Sequence, residues 1–134
     1  MRVTKENINK FIEGSSMDCS NTGITHIEYI PDGITRLFCY NNKLTELPKL
    51  PDGLKYLDCD NNKLTELPKL PNNLKYLDCG DNKLTELPKL PDSLTDLYCY
   101  NNNLPYEITI DNIKEHNNKL ILKKRKLILE KIRI

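Results

Sequence analysis

Tryptophan is absent from these 134 residues, and phenylalanine and histidine occur only twice each. A compact globular core of this length would be thinly stocked with large side chains. Long apolar runs are lacking as well. Nothing approaches the ~20 residues needed to cross a bilayer, and the opening Met1-Arg-Val-Thr-Lys-Glu-Asn7 lacks the apolar stretch of a secretory signal. There is no phosphate loop, no H-E-x-x-H and no G-x-S-x-G. His26 and His116 have no Cys, Asp or second His at ligand or triad spacing, so both are expected on the surface. These absences leave an enzyme without support; no catalytic residue, cofactor or metal is expected. The five cysteines are an odd number at one spacing, unlike the paired clusters of secreted disulfide scaffolds. A cytoplasmic protein of a reducing compartment is expected.

What the chain does have is a period. Cys19, Cys39, Cys59, Cys79 and Cys99 recur every twenty residues. The clearest unit runs from Leu54 to Asn73 and reads L-x-x-L-x-C-x-x-N-x-L-x-x-L-P-x-L-P-x-x. Self-similarity at this period signals a solenoid, in which each coil buries its leucines against its neighbours. One solenoid domain is expected over residues 17–104, about 4.5 units of twenty residues. Residues 1–16 form an N-terminal helical cap, and 105–134 a C-terminal cap that is helical and basic.

Each unit predicts one coil. Leu57-Asp58-Cys59 alternates apolar, polar, apolar, a short strand with Leu57 and Cys59 inward. Strands are expected at 37–39, 57–59, 77–79 and 97–99, with a weaker one at 17–19, stacked into a parallel sheet on one side. Asn42, Asn62, Asn82 and Asn102 follow the strands. Their amides can satisfy loop N–H and C=O groups that the sheet leaves unpaired, so they read as a structural ladder. The return side, Leu64-Thr-Glu-Leu67-Pro68-Lys-Leu70-Pro71, has prolines three apart. These forbid a helix and favour an extended, polyproline-like run. Pro-Asp-Gly at 31–33 and 51–53 supplies turn chemistry, and 71–73 and 91–93 do so less ideally.

The ends depart from the pattern. Thr22 replaces the ladder Asn, and Glu28 the first proline. Before them, Ile8, Phe11 and Ile12, with Thr4 as N-cap and Gly14 as stop, predict a short helix near 5–13. After Pro105, Asp111 is a cap for a second helix in which Ile113, Leu120, Leu127 and Ile134 recur every seven residues, with fraying expected past Lys126. Residues 119–134 carry a net charge of +6, which leaves −5 on the rest.

The cysteine column invites a metal or redox reading. Zinc ligands must converge on a tetrahedron, whereas these lie along a line. Adjacent strands bring Cα atoms within disulfide reach, so oxidation stays conceivable. The bland reading, buried thiols acting as small hydrophobes, is preferred.

Outward strand positions form columns across the sheet: Asp18, Phe38, Asp58, Asp78, Tyr98 in the middle; Arg36, Tyr56, Tyr76, Asp96 on one flank; Ser20, Tyr40, Asp60, Gly80, Tyr100 on the other. Asp58 facing Asp78 is destabilising by ~0.2–1 kcal/mol. One reading holds these to be duplication copies, since Lys-Leu-Thr-Glu-Leu-Pro-Lys is repeated verbatim at 43–49, 63–69 and 83–89. The other makes the face an acidic, aromatic-rimmed cradle for a basic protein segment. Its contact residues are then Phe38, Tyr40, Tyr56, Asp58, Asp60, Tyr76, Asp78, Asp96, Tyr98 and Tyr100. A structural or self-associating repeat protein with no dedicated ligand is the alternative. The basic tail is a weaker candidate for nucleic acid or anionic membrane, because it has no aromatic interleaving. A monomer is expected, with a dimer through the C-terminal segment left open.

The twenty-residue unit and its L-P-x-L-P return segment resemble the LPX subclass of bacterial leucine-rich repeats, found in effectors that pathogens deliver into host cells. Cysteine at the second inward strand position, with abundant Ile, Lys and Asn, resembles leucine-rich-repeat proteins of giant amoeba-infecting DNA viruses. The resemblance covers about 17–104. It implies a curved horseshoe that binds protein on its concave strand face, in a pathogen–host or virus–host setting and the host cytoplasm. Some such effectors append a ubiquitin-ligase domain with a catalytic Cys. No Cys follows Leu104, so that activity is not carried over.

Overall fold

The structure is a computed structural model that describes residues 1–132. Eight strands and one long helix follow in order: β1 Arg2–Val3, β2 Ile12–Glu13, β3 Ser16–Asp18, β4 His26–Ile27, β5 Arg36–Phe38, β6 Tyr56–Asp58, β7 Tyr76–Asp78, β8 Asp96–Tyr98 and α1 Ile113–Ile132. Strands β3, β5, β6, β7 and β8 are parallel neighbours, each twenty residues from the next, so every strand pair closes one coil of a solenoid. The strands start one residue earlier than the alternation predicts. The ladder nevertheless reaches the cysteines, because the Cys39 N–H donates to the Asp58 carbonyl and the Cys59 N–H to that of Asp78, both at 2.9 Å.

The core is a set of leucine columns. Leu37, Leu57 and Leu77 are fully buried, as are Cys39, Cys59 and Cys79 beside them and Leu44, Leu64 and Leu84 at the start of the return side. The return segments carry no strand apart from β4, as prolines three residues apart dictate. The turns before the strands close with Leu54 N–H to Pro51 O at 3.1 Å and Leu74 N–H to Pro71 O at 3.2 Å. Neither Gly33 nor Gly53 is left-handed there, which is why Asn73 and Ser93 fill the same place equally well.

Asn62, Asn82 and Asn102 each make four bonds, and Asn42 makes more because its Oδ1 accepts from both Thr22 and Ile24. Asn62 Nδ2 donates to the carbonyls of Cys39, Cys59 and Asp60 at 3.0–3.2 Å, and its Oδ1 accepts the Leu44 N–H at 3.0 Å. Asn82 repeats the set one coil on. Thr22 preserves part of it, donating to the Cys19 carbonyl at 2.6 Å. Beside this inner ladder runs an outer one. Asn21, Asn41, Asn61, Asp81 and Asn101 are all left-handed, with φ from 50° to 57°, a region that Asn and Asp tolerate better than other side chains. Their amides link across coils: Asn41 Nδ2 to Asn21 Oδ1 at 2.9 Å, Asn61 to Asn41 at 2.7 Å, Asn101 to Asp81 at 2.7 Å. Asp81 can accept but not donate, so the chain of bonds breaks between it and Asn61.

The N-terminal end differs from the predicted helix over 5–13. A single 3-10 turn, Ile8–Phe11, sits between β1 and β2. Asn7 explains this: its Oδ1 accepts the Thr4 N–H at 2.8 Å and its Nδ2 donates to the Arg2 carbonyl at 2.9 Å, local bonds that compete with a helix. Gly14, at φ 61°, turns the chain in a two-residue hairpin, and β2 then pairs antiparallel with β3 to cover the first edge of the sheet. On the return side β1 pairs with β4. The opposite end is less covered. Among the described residues no strand follows β8, and Leu97 and Cys99 are only half-buried there.

Helix α1 runs unbroken from Ile113 to Ile132, without the fraying expected past Lys126; it contains neither Gly nor Pro. Ile134, last of the seven-residue stripe, lies outside the described residues. The surface position expected of His116 is also corrected. It is 1 % exposed, with Nδ1 2.7 Å from the Tyr106 hydroxyl and Nε2 3.0 Å from the Pro88 carbonyl. That carbonyl only accepts, so Nε2 donates to it, and Nδ1 shares a hydrogen bond with the tyrosine hydroxyl. With both nitrogens partnered, burial costs little. Asn117 completes the anchor by bonding both the N–H and the C=O of Leu90, at 2.9 and 2.8 Å.

Candidate functional site: the strand face

The strand register sets the outward side chains in rows. Arg36 lies opposite Tyr56, Tyr56 opposite Tyr76 and Tyr76 opposite Asp96; Phe38 faces Asp58, Asp58 faces Asp78 and Asp78 faces Tyr98. The aromatic residues make a continuous band. Tyr56 and Tyr76 stack with centroids 4.0 Å apart and planes 2° from parallel. Phe38 lies tilted 5.1 Å before Tyr56, and Tyr98 lies tilted 5.8 Å beyond Tyr76. Such pairs contribute ~0.5–1.5 kcal/mol beyond the area they bury. Arg36 ends the band, its guanidinium 5.5 Å from the Phe38 ring centre and 5.0 Å from that of Tyr56. Tyr98 and Tyr100 remain 44 % and 50 % exposed.

Beside the band lie the carboxylates. Burial pushes Asp58 up to about 6, and the Asp78 and Asp60 charges add to the shift. Asp60 and Asp78 are raised by the same two causes, burial first and neighbouring carboxylates second. Tyr100 is raised chiefly by the charge of Asp78. Its ring covers Gly80 so closely that a Cβ there would come within 2.8 Å of it. Gly80 is therefore the gap in its column that lets Tyr100 lean across toward the carboxylates.

Two of the aspartates also have a local task absent from the sequence reading. Asp58 Oδ1 accepts the Asp60 N–H at 3.2 Å, and Asp78 Oδ1 accepts the Gly80 N–H at 3.0 Å; Asp18 does the same for Ser20. Asp at the strand end thus makes an Asx turn into the left-handed residue that follows. The Asp-x-Asp and Asp-x-Gly spacing carries that signal. All ten predicted contact residues come together on this face, with Asp96, Tyr98 and Tyr100 the exposed ones and the other seven half-buried. Among the described residues no helix is long and apolar enough to cross a membrane.

A model of two leucine-rich repeats matches residues 32–72, and a single leucine-rich-repeat model matches 73–94. No curated protein matches the chain. Among solved structures, YopM from Yersinia enterocolitica WA-314 is 40 % identical over 69 % of this chain, with a TM-score of 0.66. A Shigella effector leucine-rich-repeat domain is 34 % identical over 78 % of it, with a TM-score of 0.67. The matched region spans only 20 % and 47 % of those two chains. Period, parallel sheet and asparagine ladder agree with sequence models and solved structures alike: the chain belongs to the leucine-rich-repeat proteins, with a solenoid like those of bacterial effectors.

Proposed function

We propose that the strand face of this interaction module docks a protein partner through a basic segment, and that the module is not catalytic. The observation that supports this best is the aromatic band Phe38–Tyr56–Tyr76–Tyr98 beside Asp58, Asp60 and Asp78. Tyrosine rings offer large contact area at low entropic cost, and carboxylates held partly out of water select for Lys or Arg. A basic group seated beside Asp58 and Asp78 relieves their mutual repulsion, so binding and the acidic crowding are coupled. Neutral side chains at 58 and 78 would suit the fold alone better. The Shigella match is the repeat domain of an effector, and a role in a host cytoplasm is carried over from that likeness. Five free thiols suit such a reducing compartment.

The test is the affinity of a fluorescent Lys/Arg-rich peptide measured by anisotropy. Binding should weaken at least ~10-fold between about 50 and about 500 mM salt. It should also weaken in Tyr76→Ala and in Asp58→Asn/Asp78→Asn. Binding that ignores salt and both variants would place the site elsewhere.

A further inference from the structure

Helix α1 is held at one end only. His116 and Asn117 fasten its first turns to the return segment at Pro88 and Leu90, and Lys123 reaches Glu86 at 3.3 Å. From Ile121 to Ile132 every residue is exposed. Ile121, Leu122, Ile128, Leu129 and Ile132 nonetheless fall on one side of the helix, between 48 % and 71 % exposed. Arg125 lies within that side, and Lys124 and Lys126 lie at its borders.

We infer that this free half of α1 is the basic segment taken by the strand face, in a second copy of the same chain. The inference rests on the reading of the strand face given above, and three features of the molecule support it. Charge is complementary: residues 119–134 carry +6 and the rest of the chain −5. The chemistry matches in pattern as well as in sign, since an Ile/Leu side interrupted by arginine meets an aromatic band bordered by carboxylates. Size matches too. The stretch from Ile121 to Ile132 is about 18 Å long, and the face from β3 to β8 is four strand steps of ~4.8 Å, about 19 Å. The anchor to Pro88 and Leu90 ties α1 to the return side of its own coil, across from its own strand face, so the contact is made in trans. It is a head-to-tail contact, which either closes reciprocally in a dimer or propagates. A membrane surface fits less well. Leu120 and Leu127 lie on a different side from the five exposed residues, and Arg125 interrupts those, so the helix lacks the single broad apolar face that lies in a lipid interface.

The experiment uses full chains and sedimentation. Lys124→Glu/Arg125→Glu/Lys126→Glu disables the helix while keeping the strand face; Asp58→Asn/Asp78→Asn/Tyr76→Ala disables the face while keeping the helix. Wild type should associate at low salt and dissociate as salt rises. Each variant alone should be monomeric with unchanged circular dichroism, and an equimolar mixture of the two should form a one-to-one complex. A wild type that stays monomeric at low salt while still binding the Lys/Arg-rich peptide overturns the inference and leaves the strand-face reading intact. Association that persists in both variants, or a mixture that stays monomeric, overturns it as well. So does binding to phosphatidylserine-containing vesicles that only the helix variant loses, without any association of wild type.

Discussion

The strand face and the return side are built from the same coil, yet they treat their exposed positions in opposite ways. On the return side Lys-Leu-Thr-Glu-Leu-Pro-Lys stands unchanged in three coils, exposed Thr and Glu included. Nothing in packing requires an exposed Thr45, Thr65 and Thr85 to be alike, so that sameness is what duplication leaves behind. On the strand face the equivalent outward positions hold Phe38, Asp58, Asp78 and Tyr98, or Tyr40, Asp60, Gly80 and Tyr100. Inward positions are nearly constant on both sides because the core demands it. From Arg36 onward, and apart from the turns before the strands, variation is therefore concentrated where the aromatic band and the carboxylates lie, and Gly80 shows that the substitutions fit one another, since it makes room for Tyr100.

The sharpest way to break this contrast is to mutate one residue of each kind in a single coil. Asn62→Ala orphans backbone groups of both neighbouring coils and should cost about 3 kcal/mol or more, as each buried group left unpaired costs ~1–3 kcal/mol. Thr65→Ala, exposed on the return side, should change stability by less than ~0.5 kcal/mol in the same denaturant titrations. Next in size is Cys59. Burial raises its thiol well above the ordinary range, so it behaves as an apolar group. Cys59→Ser should cost ~1–3 kcal/mol, and Cys59→Val should be nearly silent. Thiol reagents should reach half-buried Cys99 before Cys39, Cys59 or Cys79 in the native protein; peptide mapping of labelled protein checks the order.

A smaller effect concerns pH. The folded state holds Asp58 at about 6, above the ordinary carboxylate value, so folding favours its protonated form. Its contribution to stability is fully present below about pH 4 and is lost as pH rises through about 6. Asp58→Asn keeps the Oδ1 acceptor for the Asp60 N–H and removes that loss. Thermal melts should show the variant gaining on wild type between about pH 4 and 6; a variant that loses stability at neutral pH would contradict the Asp58–Asp78 contact. A further effect is expected at Asp81. Asp81→Asn supplies the donor missing from the outer ladder, toward Asn61, and removes a charge near Asp60 and Asp78. It should stabilise the fold by ~0.5–1 kcal/mol, the usual net worth of one hydrogen bond.

These expectations also mark how much was legible in the sequence. A period of twenty fixes which residues stack, so the columns from Arg36 to Asp96 and from Phe38 to Tyr98 follow from spacing alone. The second asparagine ladder was hidden because Asn41-Asn42 and Asn61-Asn62 are adjacent pairs, and one member already had an explanation. The N-terminal cap is not legible in the sequence, because the apolar spacing of Ile8, Phe11 and Ile12 looks helical while the bonds of Asn7 to Thr4 and Arg2 decide otherwise. His116 reads as a surface residue in the sequence for want of a catalytic partner. Its neighbours in the stripe, Ile113 and Leu120, were the sign of a buried side, and Pro88 and Tyr106 lie too far away in the sequence to have been foreseen.

The contrast between the two faces is tested most directly by NMR. Backbone amide shifts should be followed while a Lys/Arg-rich peptide is titrated into the labelled protein at low salt. The predicted result is movement confined to 36–40, 56–60, 76–80 and 96–100, with 43–49, 63–69 and 83–89 unchanged. Shifts concentrated in the return segments, with the strand face silent, would contradict the account.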